Sequence, residues 1–262
     1  VNDYDKCKEN IMRKPIIAGN WKMNKTVKKA VEFVKEMVET INDCPDMEIV
    51  VFPPFTALHA VANVVRDTNI LFGAQNMYYE SAGAYTGEIS PLMLADIGVH
   101  FVILGHSERR EILGETNEII NLKMKAALNY RMKPILCVGE KLEEREKGKA
   151  EDVIHSQLVR NLQDISKDEM ARTVIAYEPL WAIGTGKTAS PEDANKMHAF
   201  IRGTIISLYD KRVASMVRIQ YGGSVRPDNI GILMAQPEID GALVGGASLD
   251  VESFVKIARY TL

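Results

Sequence analysis

Eight short apolar runs, each followed by a polar loop and then an amphipathic stretch, restrict the folds open to this chain more than any other feature. They are PIIAGN (15–20), EIVVFP (48–53), NILFGA (69–74), HFVILG (100–105), KPILCVG (133–139), TVIAYE (173–178), VRIQYG (217–222) and DGALVG (240–245). Within each run Val, Ile, Leu and Ala follow one another almost without a polar break. A strand with one wet face alternates apolar and polar residues, so continuous runs predict strands covered on both faces. Helical spacing occupies 27–41, 118–129, 152–162, 193–208 and 253–260, and Ser190-Pro191 and Arg226-Pro227-Asp228 read as helix starts. Strand alternating with helix eight times implies a parallel sheet with right-handed crossovers. Eight such units can close into a (β/α)8 barrel. An open doubly wound sheet has fewer strands as a rule and a glycine-rich turn after the first. Here the first run ends in Asn20-Trp21-Lys22. The expectation is one barrel domain over 12–262, with 1–11 outside the pattern as an extension or expression remnant.

The length of 262 residues suits a single barrel, and 46% hydrophobic with 26% charged residues allows both a large core and a wet surface. No apolar run reaches the ~18 residues needed to span a bilayer. The opening VNDYDKCKENIMRK lacks the apolar core of a signal peptide. A formal charge of −3 predicts no general attraction to nucleic acid or anionic membranes. Any affinity for anions must then come from local geometry. The three cysteines, Cys7, Cys44 and Cys137, have no metal-ligand spacing. They predict a reducing, cytoplasmic setting without a disulfide framework.

In barrels of this kind the chemistry gathers in the loops at the carboxyl ends of the strands. That filter collects Asn20 and Lys22 from strand 1, His106 and Glu108 from strand 4, Cys137 and Glu140 from strand 5, and Glu178 from strand 6. Strand 7 adds Gly222-Gly223-Ser224 and strand 8 adds Gly245-Gly246. Glu178 sits between a buried strand and the apolar Pro179-Leu180-Trp181, where desolvation would strengthen it as a base. His106 is the one histidine of five at a strand's carboxyl end. A short helix starting after it would favour the neutral ring, able to donate a hydrogen bond to a developing enolate oxygen. Lys22, beside Asn20, suits anion binding, and Glu108 could orient it or merely begin a helix. The two glycine turns stand where barrels commonly hold phosphate on backbone N–H groups. Gly184-Thr185-Gly186-Lys187-Thr188 imitates the end of a nucleotide-binding loop. The required earlier glycine is Trp181, which excludes that reading. No metal cluster and no cofactor motif emerges.

AGNWKMN (18–24), GHSERR (105–110), AYEPLWAIGTGKTA (176–189), YGGSV (221–225) and VGGASL (244–249) together resemble the triosephosphate isomerase family. CVGE (137–140) and GAQN (73–76) fit the same pattern, in order, from about Met12 onward. Leu180 stands where valine is common in the family. The resemblance implies a barrel that interconverts glyceraldehyde 3-phosphate and dihydroxyacetone phosphate through an enediolate, without metal or cofactor. It implies Glu178 as the base, neutral His106 as the shuttle between oxygens, and Lys22 and Asn20 as stabilisers of negative charge. This trio of carboxylate, neutral histidine and closing loop is the family's own and is taken from it. Gly184, Ser224, Gly245 and Gly246 would hold the phosphate, with Cys137 in a supporting place. Residues 179–189 would form a lid latched by Tyr221 and Ser224. Loop 75–90, long and carrying Tyr78, Tyr79 and Tyr85, would dock into a second subunit, with Thr86 reaching the neighbouring site. The rival enzyme is a metal-dependent pentose-phosphate epimerase, which would gather histidines and carboxylates at several strand ends. The rival outside enzymes is a non-catalytic barrel scaffold, which would have lost Glu178, His106 or Lys22.

Overall fold

The computed structural model describes residues 13–41, 44–182 and 189–260. All eight predicted runs are strands: β1 (Ile16–Asn20), β2 (Glu48–Phe52), β3 (Ile70–Ala74), β4 (Phe101–Leu104), β5 (Lys133–Val138), β6 (Val174–Tyr177), β7 (Arg218–Tyr221) and β8 (Gly241–Val244). Each is trimmed by a residue at one or both ends. Pro15 and Pro53, which have no N–H to donate to a ladder, fall outside. Every neighbour is parallel, and β8 returns to β1 with Ile16 opposite Gly241 and Gly19 opposite Val244. The barrel is closed.

Alternation within each strand makes two cores. Ile16, Ala18, Val50, Phe52, Ile103, Ile135 and Cys137 point inward and fill the barrel. Ile17, Val51, Leu104, Leu136, Ile175 and Val244 belong to the second core, between strands and helices. Both faces are dry, which is why the runs lack polar alternation. The helix Val27–Ile41 has the predicted bounds and buries Ala30, Phe33, Val34, Met37 and Ile41, spaced by three or four residues along one stripe. Truncating Phe33 or Met37 to alanine would cost on the order of 2–5 kcal/mol.

The other predicted helices lie at Asn117–Asn129, Ala150–Asn161, Pro191–Leu208 and Val251–Ala258. Ser190 caps the third of these, its hydroxyl accepting the Asp193 N–H at 3.0 Å, with Pro191 in the first turn. At Arg226-Pro227-Asp228 the expected start is displaced. Asn229 Oδ1 accepts the Arg226 N–H at 2.8 Å and its Nδ2 donates to Ser224 O at 3.0 Å, holding a turn, and the helix begins at Ile230.

The amino ends of the strands are tied by charge. Glu48 of β2 pairs with Arg218 of β7 and, at 3.4 Å, with Lys133 of β5. Asp240 accepts from Arg202 at 2.7 Å and from the Ile219 N–H at 2.8 Å. The carboxyl ends are left to the loops that carry the candidate chemistry. No described helix is long and apolar enough to cross a membrane. Residues 1–12, including Cys7, lie outside the described residues.

Candidate active site

At the end of β1 the chain turns sharply. Lys22 has φ +52, the left-handed region that L-residues enter at a cost of about 1–2 kcal/mol. Two contacts hold it there. Its N–H donates to Asn20 Oδ1 at 3.0 Å, and its carbonyl accepts from Gln75 Nε2 at 2.9 Å. The same Gln75 nitrogen donates to Phe52 O at 2.9 Å, so the loops after β1, β2 and β3 are joined. The ammonium of Lys22 reaches Glu108 Oε1 at 2.6 Å.

His106 follows β4 and caps the short helix Ser107–Glu111, its Nδ1 accepting the Glu108 N–H at 3.2 Å. A nitrogen that accepts carries no proton, so in this geometry the ring is neutral and its proton is on Nε2. Nε2 stands 3.0 Å from Glu178 Oε1. The second oxygen of Glu178 accepts the Ser107 N–H at 2.9 Å. Glu178 is 2% exposed, so a carboxylate, a neutral imidazole and a helix N-terminus meet in a nearly dry place. The backbone of Glu178 is fixed too, its N–H donating to Val138 O at 2.8 Å. Beside it Gly139 is obligatory: a Cβ there would lie 1.9 Å from the Glu178 carbonyl oxygen. Gln157 holds Gly139 from both sides, accepting its N–H at 2.9 Å and donating to its carbonyl at 3.0 Å.

Asn20, Lys22, His106, Glu178, Ser224, Gly245 and Gly246 all line one open cavity of ≈ 500 Å³. Its far side is formed by the turn after β7 and the 3-10 turn Gly246–Leu249 after β8, with Arg226, Asp250 and Ser253 beside them. A base and a hydrogen-bond donor thus face a cation across a space that ends in glycine turns. Such a site can take a proton from carbon beside a carbonyl while holding an anionic group at the other end.

The remaining predicted residues lie elsewhere. Cys137 is fully buried inside the barrel beneath Glu178. Burial, and then the neighbouring carboxylate, push its thiol well above the usual range, so it is no thiolate nucleophile. Tyr221 is buried against the Gly222-Gly223 turn, burial raising its phenol to about 12. Thr86 stands on the exposed part of loop 75–90, away from this chain's own cavity. Gly184 lies outside the described residues, as does all of 183–188. The start of the expected lid is anchored: Trp181 Nε1 and the Tyr177 hydroxyl donate to the buried Glu140 Oε1 at 2.9 and 3.0 Å. Gln75, Arg110 and Gln157 escaped the sequence reading. Gln75, inside the GAQN motif, and Arg110, at the end of GHSERR, carried a signal there, and Gln157 carried none.

A family model described as triosephosphate isomerase matches residues 15–261. The chain belongs to the triosephosphate isomerase family. It is 57% identical to a triosephosphate isomerase of Caldanaerobacter subterraneus subsp. tengcongensis, over 95% of this chain and 100% of that protein. With those of Chloroflexus aurantiacus and Dictyoglomus thermophilum it shares 55% and 53%, again over 95% of this chain and 100% of each relative. A triosephosphate isomerase match of this length includes every strand end that supplies a cavity residue.

Proposed function

We propose that this chain interconverts D-glyceraldehyde 3-phosphate and dihydroxyacetone phosphate through an enediolate, a step of glycolysis and gluconeogenesis. The observation that carries this is the meeting of Glu178, His106, Lys22 and Asn20 in one cavity with the glycine turns opposite. Glu178 is parked on the Ser107 N–H. Turned into the cavity, it takes the proton from the carbon beside the carbonyl and returns it to the neighbouring carbon. His106, with its proton on Nε2, donates to the developing oxyanion and passes protons between the two oxygens. Lys22 and Asn20 stabilise the charge, and backbone N–H groups of Ser224, Gly245 and Gly246 take the phosphate. Purified chain given glyceraldehyde 3-phosphate, with dihydroxyacetone phosphate read by a coupled dehydrogenase, is expected to turn over rapidly. No product above the uncatalysed background would overturn the proposal and leave the scaffold reading.

The metal-dependent epimerase is separated by a second expected outcome. Among the described residues no three His, Cys, Asp or Glu are grouped to hold a metal ion. Prolonged dialysis against a chelator should leave kcat unchanged. Activity lost to the chelator and restored by zinc or manganese would favour the epimerase.

The working unit in this proposal is a homodimer joined through loop 75–90. Tyr78 stacks on Tyr79 at 4.2 Å and lies 4.6 Å from Tyr85, giving the loop a small core of its own. On the loops after β1 and β4, Met23 is 96% exposed and Ile112 76% exposed. Large apolar side chains left exposed on loops of the carboxyl face suit a second copy of the same surface. Light scattering at assay concentration should give twice the chain mass. A fully active monomer would contradict the dimer.

A further inference from the structure

Behind Glu178, on the side away from the cavity, the structure places a cation to which the sequence reading gave no role, although it closes the GHSERR motif. Arg110 belongs to the helix Ser107–Glu111, yet its guanidinium is anchored by three different segments. Nε donates to Gly105 O at 2.7 Å, Nη1 to Asn117 Oδ1 at 2.7 Å and Nη2 to Cys137 O at 3.0 Å. The place is built for it. Gly105 has φ +68, and a Cβ there would lie 2.8 Å from Nη2. All three acceptors are neutral, and among the described residues no carboxylate lies within 4.0 Å of the guanidinium. Taking a charge out of water without a paired counter-ion is unfavourable, so tying β4 to β5 is a task a neutral donor would perform more cheaply.

A small polar pocket of ≈ 150 Å³ lies between Arg110 and Glu178 and is lined by both. The other groups around the carboxylate supply no free positive charge. On the cavity side His106 is neutral, Lys22 is paired with Glu108 and Arg226 with Asp228. Cys137, within hydrogen-bonding reach of Glu178, is held as the thiol by burial first. At the outer edge of the pocket Lys141 is paired with Glu111 at 2.5 Å, with Glu144 beside it. We propose that Arg110 is a positioning residue for the base, its fixed charge keeping Glu178 ionised and seated while that side chain is buried. This rests on the reading of Glu178 as the base. The attraction acts across this polar pocket, and it leaves the cavity face of the carboxylate free for substrate.

Two variants separate charge from anchoring. Arg110→Gln keeps hydrogen-bond donors and removes the charge. Arg110→Lys keeps the charge and loses the fork. The measurement is kcat/KM against pH, which reports the free enzyme, for parent and variants with the same substrate, so that titration of the substrate phosphate is common to all. The acid limb should move up by about one pH unit in Arg110→Gln, the low end of what a nearby buried counter-charge supplies, and stay at the parent position in Arg110→Lys. KM above that limb should change little. An unmoved limb in folded Arg110→Gln, whatever the loss of thermal stability, would reduce Arg110 to a structural tie and overturn the proposal. Where Arg110→Gln does not fold, Arg110→Met, which keeps the bulk of the stem and removes the charge, takes its place. A raised acid limb in it supports the proposal, and the parent's limb overturns it. A parent chain without isomerase activity would instead bring down the functional reading on which the proposal rests.

Discussion

Replacing Glu178 with glutamine is expected to lower kcat by ~10²-fold or more, about 3 kcal/mol of transition-state stabilisation, with a much smaller change in KM. The amide has the carboxylate's shape. It can still accept the Ser107 N–H and pack beside Gly222, so neither fold nor cavity should change. What it lacks is basicity. With the carboxylate gone, the titratable groups left at that end are His106, whose free ring nitrogen accepts the Glu108 N–H, and Cys137, held as the thiol by burial. No second base stands ready to replace it. The check is steady-state kinetics in both directions on protein whose Tm and circular dichroism match the parent. Near-normal turnover in such protein would remove Glu178 from the chemistry.

Lys22→Met should be nearly as damaging, in a different pattern. Lys22 lines the cavity, and its stem lies beside Gly245: a Cβ there would sit 3.6 Å from Lys22 Cε. In the proposed reaction it acts on the phosphate in the ground state and on the enediolate in the transition state. Both KM and kcat should suffer, KM rising and kcat falling by on the order of 10²–10³-fold, the usual cost of removing one preorganised charge partner. Stability should barely move. Its partner Glu108 is 45% exposed, and such surface pairs contribute roughly 0–1 kcal/mol. Methionine inherits the same positive φ, so the backbone strain is common to both proteins. Steady-state kinetics with a thermal melt reads all three quantities. A rise in KM with kcat intact would confine Lys22 to substrate capture.

The barrel was legible because parallel strands covered on both faces leave a simple trace. PILCV and TVIAY carry no charged residue and almost no polar interruption, whereas VRIQY alternates because Arg218 pairs with Glu48 and Gln220 donates to the Ile16 carbonyl inside the barrel. The same geometry made much of the site legible. Once the chemistry is confined to strand ends, Asn20, His106 and Glu178 are few enough to collect by position, without any contact map. The supports were not legible, since they come from helices and cross between units. Gln157 grips Gly139 from 18 residues away, and Arg110 reaches the carbonyl of Cys137 from 27. On their own helices each is one polar residue among several, and only closure of the barrel brings them behind Glu178. The turn at 224–229 misled for a local reason. Proline after arginine looks like a first helical turn, while the Asn229 side chain takes the Arg226 N–H and delays the helix.

In the proposed reaction a buried carboxylate carries a proton between neighbouring carbons through an enediolate. Isomerisation of dihydroxyacetone phosphate in heavy water tests it most directly, with the product trapped as it forms and its hydrogen content read by proton nuclear magnetic resonance. A proton held on Glu178 can exchange with solvent before it is returned, whereas a hydride passed directly from carbon to carbon cannot. The account predicts product bearing solvent deuterium at the carbon beside the carbonyl, together with some that keeps the original hydrogen. The label should disappear along with activity in Glu178→Gln. Product formed at the parent's full rate with no deuterium at that carbon would mean a direct hydride shift, and would contradict the proposed chemistry.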